Sequence, residues 1–510
     1  MKNIIVCSDG TGNSDIKGRG TNVFKLYEAV NLHDHEANSA LPRQVAFYDD
    51  GVGTEDKWLR KVIGGAIGLG LSANVKRLYA DIVRVHDCGS DSDPADKLFL
   101  FGFSRGAHTV RTLGGLIATC GLLDRTKFKS EQALQEKVEQ AYALYRGKFR
   151  ALIPALFRPR ITQEDIEAFK RENCFCAHST QSKDLEIEFI GVWDTVDAVG
   201  FPMPGIATFW NKFIWQFKFS DTRLSKIVQC ARHALSMDDE RLTFHPTLWN
   251  ESDEDKQRTP PRIEQVWFSG VHTNVGGGYP KQGMSLVTLN WMMAEAEKRG
   301  LRFIPEDRIA YRERRNVHDK LYDSRAGHAA FYRYQPRDIA ALCRVNSTEP
   351  KINLSVLERI AQGTLGYAPV NLPNHAKVVA TRPFSDSELA KYTNELRELK
   401  PDLLKQLHAQ IQLRFYSNFV FFLGVLGLVI AAACNWSSLT EFVWTWLPDR
   451  FIAGVPYAVH LVVAAALGAV IALFGWVIRV ITANAKERME RAASECWTKF
   501  RLGQNNPLMD

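Results

Sequence analysis

The chain has 510 residues, beyond the roughly 250–300 that a single core accommodates, so more than one module is expected. Its 45% apolar and 24% charged residues exclude disorder and collagen-like repeats, and 64 basic against 57 acidic residues, a net +7, is too thin a surplus for a nucleic-acid binder. A mean hydropathy of −0.20 excludes a polytopic transporter, although it averages over two long apolar runs near the end of the chain.

The first apolar stretch, residues 4–7, is too short for a secretory signal, which needs about 7–15 apolar residues. It reads as a buried strand at the start of a domain that folds in the cytoplasm. Nine scattered cysteines, an odd number, argue against a disulfide framework and for a reducing compartment. Continuous apolar runs at residues 4–7, 45–48, 97–103, 186–193 and 265–271 read as buried parallel strands. Helical patterns such as residues 74–85 separate them, and strands alternating with helices predict an α/β domain with a mainly parallel sheet.

Each predicted strand ends in a polar or glycine-rich turn, the edge at which open α/β sheets bind ligands. Residues 64–70 are rich in glycine, but no lysine follows at the place a phosphate loop requires. Residues 124–173 are helical and charged, and they sit where a cap would be inserted. Cys174, Cys176 and His178 form a C-x-C-x-H cluster without a second ligand pair at zinc spacing, so buried thiols are expected there and no metal or cofactor is assigned. Residues 201–219 are crowded with aromatics, for packing or as an apolar wall for an acyl chain.

A mixed region, residues 311–413, precedes two runs, 415–436 and 457–478, each of 22 residues without Asp, Glu, Lys or Arg, the second holding one histidine, His460. Each meets the length needed to span hydrocarbon. Lys400, Lys405 and Arg414 precede the first run and Arg479, Lys486, Arg488 and Arg491 follow the second, whereas the connecting loop has Arg450 alone against Glu441 and Asp449. The positive-inside rule then predicts a hairpin, residues 414–482, with the large N-terminal part and the tail, residues 483–510, on the cytoplasmic side.

The chemistry centres on Gly102-Phe103-Ser104-Arg105-Gly106, which directly follows an apolar strand and directly precedes a helical pattern. That context makes G-x-S-x-G a nucleophile elbow, with small residues on either side permitting a strained turn that lifts the serine hydroxyl above the sheet. A serine needs a base, and the base needs an orienting carboxylate, in the chain order Ser, Asp/Glu, His. Asp194 closes one buried strand and His272 another, so Ser104, Asp194 and His272 are the expected nucleophile, acid and base. Asp197 is a rival acid. His233 is a rival base, although His233-Ala234-Leu235-Ser236 reads as helix, and His108, too close in sequence to serve as base, is expected to line the pocket with Phe103 and Asp9. Oxyanion donors are expected from the backbone N–H of Arg105 and from Gly10 or Thr11.

Asp9-Gly10-Thr11-x-Asn13, Gly102–Ala107, Val192-Trp193-Asp194-Thr195-Val196, His233-Ala234-Leu235 with Asp238-x-Glu240-Arg241, and Val271-His272-x-x-Val275-Gly276-Gly277-Gly278-Tyr279 occur in one order. Together they resemble the bacterial α/β-hydrolase domain of the first class of type VI secretion lipase effectors, over about residues 1–300. The resemblance implies a phospholipase-type esterase using Ser104, Asp194 and His272, with one departure, Asn274 in place of the usual aspartate.

The expected architecture is an α/β-hydrolase domain over residues 1–310 with helical cap insertions, a connecting region, and a transmembrane hairpin. The expected function is a bilayer-tethered serine hydrolase of phospholipid acyl esters, resident in a bacterial inner membrane as a toxin or phage-defence effector. An esterase or thioesterase acting on a soluble acyl substrate is the alternative enzyme, and a non-catalytic membrane scaffold the alternative class.

Overall fold

The structure, a computed structural model, describes the chain apart from residues 11–19, 52–68, 90–93, 148–160, 176–184, 197–221, 252–254, 256–257, 326–331, 333, 382–384, 399–400, 447–457 and 498–510. Among the described residues, eight strands form one sheet: β1 (Lys2–Ser8), β2 (Arg43–Asp49), β3 (Lys97–Phe103), β4 (Ile187–Trp193), β5 (Ala231–Ser236), β6 (Ile263–Phe268), β7 (Lys351–Asn353) and β8 (Lys377–Val379), in the order 2-1-3-4-5-6-7-8. Every neighbouring pair is parallel.

Alternation along the central strands explains why their sequences read as unbroken apolar runs. Ile4, Val6, Leu98, Leu100, Ile190 and Val192 enter one core with helices α2 (Leu69–Val85) and α3 (Arg105–Cys120). Ile5, Cys7, Phe99, Phe101, Phe189 and Trp193 enter the core on the other face, under α1 (Asn22–Ala29) and α7 (Gly283–Glu297). With both faces covered, both side-chain sets must be apolar.

The chain leaves β1 toward β2 and returns across it to β3, so the winding direction reverses between β1 and β3. Ligand sites in such sheets lie outside the carboxyl ends at that switch. Asp9 and Ser104 sit there.

Several expectations change. His233 lies in β5 and not in a helix; a fully buried parallel strand and a short buried helix cannot be told apart by periodicity alone. The described helices of the insertion, α4 (Glu131–Gly147) and α5 (Gln163–Asn173), place Leu134, Val138, Ala141 and Phe169 in the core shared with α2 and α3. They form an outer layer on that face rather than a cap. The sheet also runs past residue 310: β7 and β8 extend it, and Trp267, Ile352 and Val378 share a third core with Met489, Ala493 and Trp497. The indole Nε1 of Trp497 donates to Pro369 O at 2.9 Å. What was expected to be a separate tail therefore starts as part of this core.

After α7 come α8 (Pro305–Glu313), α9 (Ile339–Val345), α10 (Leu354–Ala361) and α11 (Asp386–Arg397), and the last helices are α12 (Pro401–Cys434), α13 (Trp436–Trp446) and α14 (Ala458–Cys496). α12 and α14 lie side by side: Phe421 and Phe474 stack at 5.8 Å, and Trp436 Nε1 donates to His460 Nδ1 at 3.2 Å. Tyr416, Val420, Leu423, Ile430, Leu473 and Trp476 are exposed. Among the described residues one helix, His408–Cys434, is long and apolar enough to cross a membrane; the apolar part of α14, Val462–Val477, is shorter. The expected pair of spans is thus met by one helix on this measure.

Candidate active site

Ser104 follows β3 and caps α3 with φ 58° and ψ −121°, a conformation that costs a non-glycine residue of order 1–3 kcal/mol. The flanking glycines are required by close approach. A Cβ on Gly102 would stand 2.5 Å from Gly106 O, and one on Gly106 would stand 2.1 Å from Ser8 O. The end of β1 therefore packs directly against the start of α3. The Ser104 N–H donates to Trp193 O at 3.1 Å, tying the elbow to the residue before Asp194.

Asp194, the next residue after β4, also has positive φ, at 41°, and is fully buried. Oδ1 accepts from Ser236 N–H at 2.9 Å and Arg337 Nη1 at 2.6 Å. Oδ2 accepts from Ser236 Oγ at 3.0 Å, Arg337 Nη2 at 2.8 Å and His272 Nδ1 at 2.6 Å. Burial pushes this carboxyl up, but the Arg337 charge and hydrogen bonds, then those of His272, outweigh it and hold it far below the usual carboxylate range.

His272 opens the short helix α6 (His272–Gly276), and its backbone N–H donates to Asp239 Oδ2 at 3.1 Å. The ring lies between Phe103, at 4.6 Å, and Phe244, at 5.0 Å edge-on. Burial lowers its pKa, opposed by the hydrogen bond and charge of Asp194, and the net direction is downward. A neutral imidazole with Nδ1–H fixed on Asp194 leaves Nε2 as the basic nitrogen, the state a general base requires.

Among the rivals, His233 is a structural tie: Nε2 accepts from Thr195 N–H at 3.2 Å and Nδ1 faces Gln265 Oε1 at 3.4 Å. Asp197 lies outside the described residues, as do Thr11, Cys176, His178, residues 64–68 and residues 201–219.

The expected oxyanion donors fare differently. Arg105 is the first residue of α3, where a backbone N–H has no intrahelical acceptor. The Gly10 N–H is directed at Asp9 Oδ1 at 2.6 Å, so in this structure it is engaged locally. Asp9 itself is buried and accepts from Tyr48 OH at 2.8 Å and from Thr21 Oγ1, a structural role for an expected pocket residue. His108 is buried in α3 with Nδ1 3.2 Å from Thr112 Oγ1. Asn274 donates to Lys320 O at 3.1 Å, which an aspartate could not do.

Sequence reasoning missed Arg337, Ser236 and Asp239. Ser236 ends a strand whose sequence reads as helix, and Arg337 stands in Pro336-Arg337-Asp338, so neither carried a local signal.

A family model described as the catalytic domain of Tle1-like phospholipase effectors of the type VI secretion system (T6SS) matches residues 2–295. The chain belongs to this family. An uncharacterised protein of Saccharomyces cerevisiae is 26% identical over 259 residues, 48% of this chain and 32% of that protein, so the match spans about a third of that relative's length. Among solved structures, an uncharacterised protein from Pseudomonas aeruginosa is similar at 16% identity and a TM-score of 0.34, over 82% of this chain and 62% of that one. The Tle1 effector bound to the VgrG spike of the type VI secretion system is similar at 14% identity and a TM-score of 0.31, over 77% of this chain and 82% of that one. The Tle1-like segment of the present chain ends before β7, so the guanidinium on Asp194 comes from outside it.

Proposed function

We propose that this Tle1-like chain is a serine hydrolase that cleaves acyl esters of phospholipids and is tethered to the bilayer by its C-terminal helices. The observation that carries the reading is the buried 2.6 Å contact between His272 Nδ1 and Asp194, with the imidazole packed at a tilt against the ring of Phe103, the residue that precedes the strained Ser104. In this mechanism His272 Nε2 takes the Ser104 proton as Oγ attacks the ester carbonyl. The Arg105 N–H and the N-terminus of α3 face the oxyanion. Collapse of the tetrahedral intermediate expels the lysophospholipid alkoxide, which receives the proton from His272. Water, activated by the same histidine, then releases fatty acid and restores Ser104.

Membership of a phospholipase effector family supports the substrate class. The exposed apolar faces of α12 and α14 support insertion in a bilayer, with two spans if the apolar part of α14 crosses together with its neighbours. The cations flanking both runs favour the hydrolase domain and tail on the cytoplasmic face of a bacterial inner membrane, where a toxin or defence role against that membrane fits.

The test is fatty-acid release from phosphatidylethanolamine–phosphatidylglycerol vesicles by the full chain. Ser104→Ala should abolish release while the protein stays with the vesicles; undiminished release would overturn the serine mechanism. Equal rates on vesicles and on a monomeric short-chain ester would favour a soluble acyl substrate.

A further inference from the structure

The catalytic carboxylate has a partner that ordinary triad chemistry does not require. Arg337 is wholly buried, and its two terminal nitrogens take one oxygen each of Asp194, at 2.6 and 2.8 Å. The same nitrogens donate to Ser236 O and Phe244 O, so the guanidinium also bridges the end of β5 to the turn whose Phe244 ring stands on His272. Its own backbone is fixed, because Asn371 Nδ2 donates to Arg337 O at 3.2 Å and to Met237 O at 2.6 Å. A planar fork on both carboxylate oxygens leaves Asp194 one orientation, the one in which Oδ2 also receives Nδ1–H of His272.

We infer that Arg337, supplied from beyond the family-matched segment, is a positioning residue of the triad: it holds Asp194 ionised in one rotamer and tempers how strongly that carboxylate raises the basicity of His272. This rests on the Ser104–His272–Asp194 reading. An isolated buried carboxylate would leave the His272–Asp194 pair with an uncompensated negative charge, which a proton on the imidazole would cancel. With Arg337 in place the pair and its guanidinium are neutral when His272 is neutral, so the base stays free of a proton at lower pH. Among the described residues, the other charged and titratable groups facing the pair are Asp239 and Arg241, which ion-pair with one another at 2.7 Å, the buried His233 and the half-buried His245. None of these contacts Asp194 as Arg337 does, so removing the guanidinium changes the balance at the triad.

The experiment uses the full chain in detergent, with active sites titrated by a fluorophosphonate and kcat/KM measured against pH on a monomeric short-chain ester. Arg337→Gln should lower kcat/KM per titrated site and move its acid limb upward by about one pH unit, because the imidazolium loses a nearby like charge. Arg337→Lys, which keeps the charge and loses the fork, should give an intermediate limb. Guanidinium ion added to Arg337→Ala should move the limb back.

A purely structural role predicts fewer titratable sites with an unmoved limb, and that result overturns the inference. If Arg337→Gln does not accumulate folded, Arg337→Lys decides: a limb coincident with wild type overturns it. Should wild-type Ser104 fail to label, or Ser104→Ala keep full activity, the triad reading falls. Labelled Ser104 with unmoved limbs removes the Arg337 role alone.

Discussion

Replacing Asp194 with asparagine separates the charge of this group from its shape. The carboxylate accepts five hydrogen bonds, from Ser236 N–H, Ser236 Oγ, both Arg337 terminal nitrogens and His272 Nδ1. If the amide NH2 took the place of Oδ1, it would face Ser236 N–H and Arg337 Nη1, and neither can become an acceptor. In the Oδ2 position it would face Arg337 Nη2, Ser236 Oγ and His272. The serine can rotate, and the histidine can accept only by moving its proton to Nε2, the nitrogen that must take the Ser104 proton. Either orientation leaves Arg337 buried without its counter-charge, and breaking a buried pair from one side costs about 3–5 kcal/mol. The wrong tautomer costs on the order of 10⁴ in kcat. Urea unfolding followed by tryptophan fluorescence reads the first effect, and kcat per folded molecule on a short-chain ester reads the second. Because the folded-state pKa of Asp194 lies below its ordinary value of 3.8, its stabilisation is complete above that pH and fades as pH falls below it. The asparagine variant should lose that dependence. A variant within tenfold of wild-type kcat and about 1 kcal/mol of its stability would refute the reasoning.

Gly106→Ala places a Cβ 2.1 Å from Ser8 O and 2.6 Å from Asp9 O, so β1 and α3 must part; about 1–3 kcal/mol of stability and fluorophosphonate labelling of Ser104 should be lost together. His233→Gln should retain activity near pH 8, which a catalytic base would not allow. Burial, then the charge of Arg111, pushes the His233 pKa down to about 3, so its stabilisation holds above 6.5 and is lost as pH falls toward 3, and the variant's unfolding midpoint should fall less steeply over that window. Trp497→Ala, far from the site in sequence, should cost about 3–5 kcal/mol in urea unfolding because the indole fills the core that holds β7 and β8. A loss below about 1 kcal/mol would mean that the end of α14 does not stabilise that core.

The five apolar runs became β1 to β4 and β6: β1, β3, β4 and β6, buried on both faces, announce themselves as continuous hydrophobic sequence, and the edge strand β2 keeps such a run although residues 45–48 are only half-buried. The elbow was legible because steric crowding at Gly102 and Gly106 leaves a local signature. Strand β5 was not: Ala231–Ser236 carries Arg232, His233 and Ser236, each satisfied by a partner distant in sequence, such as Glu295 for Arg232, so local pattern misassigned it. Arg337 was invisible for the same reason, since its 143-residue separation from Asp194 follows no motif. Strands β7 and β8, three residues each, fall below any periodicity, and the cap was misplaced because position along the chain does not say which edge of the sheet an insertion covers.

The central claim is that Ser104 carries the acyl group. Vesicles of phospholipid with isotopically labelled acyl chains, mixed with the full chain and quenched in acid within one turnover, should yield labelled acyl ester on the peptide containing Ser104. Fatty-acid release without that adduct, or with the adduct on another residue, would contradict it.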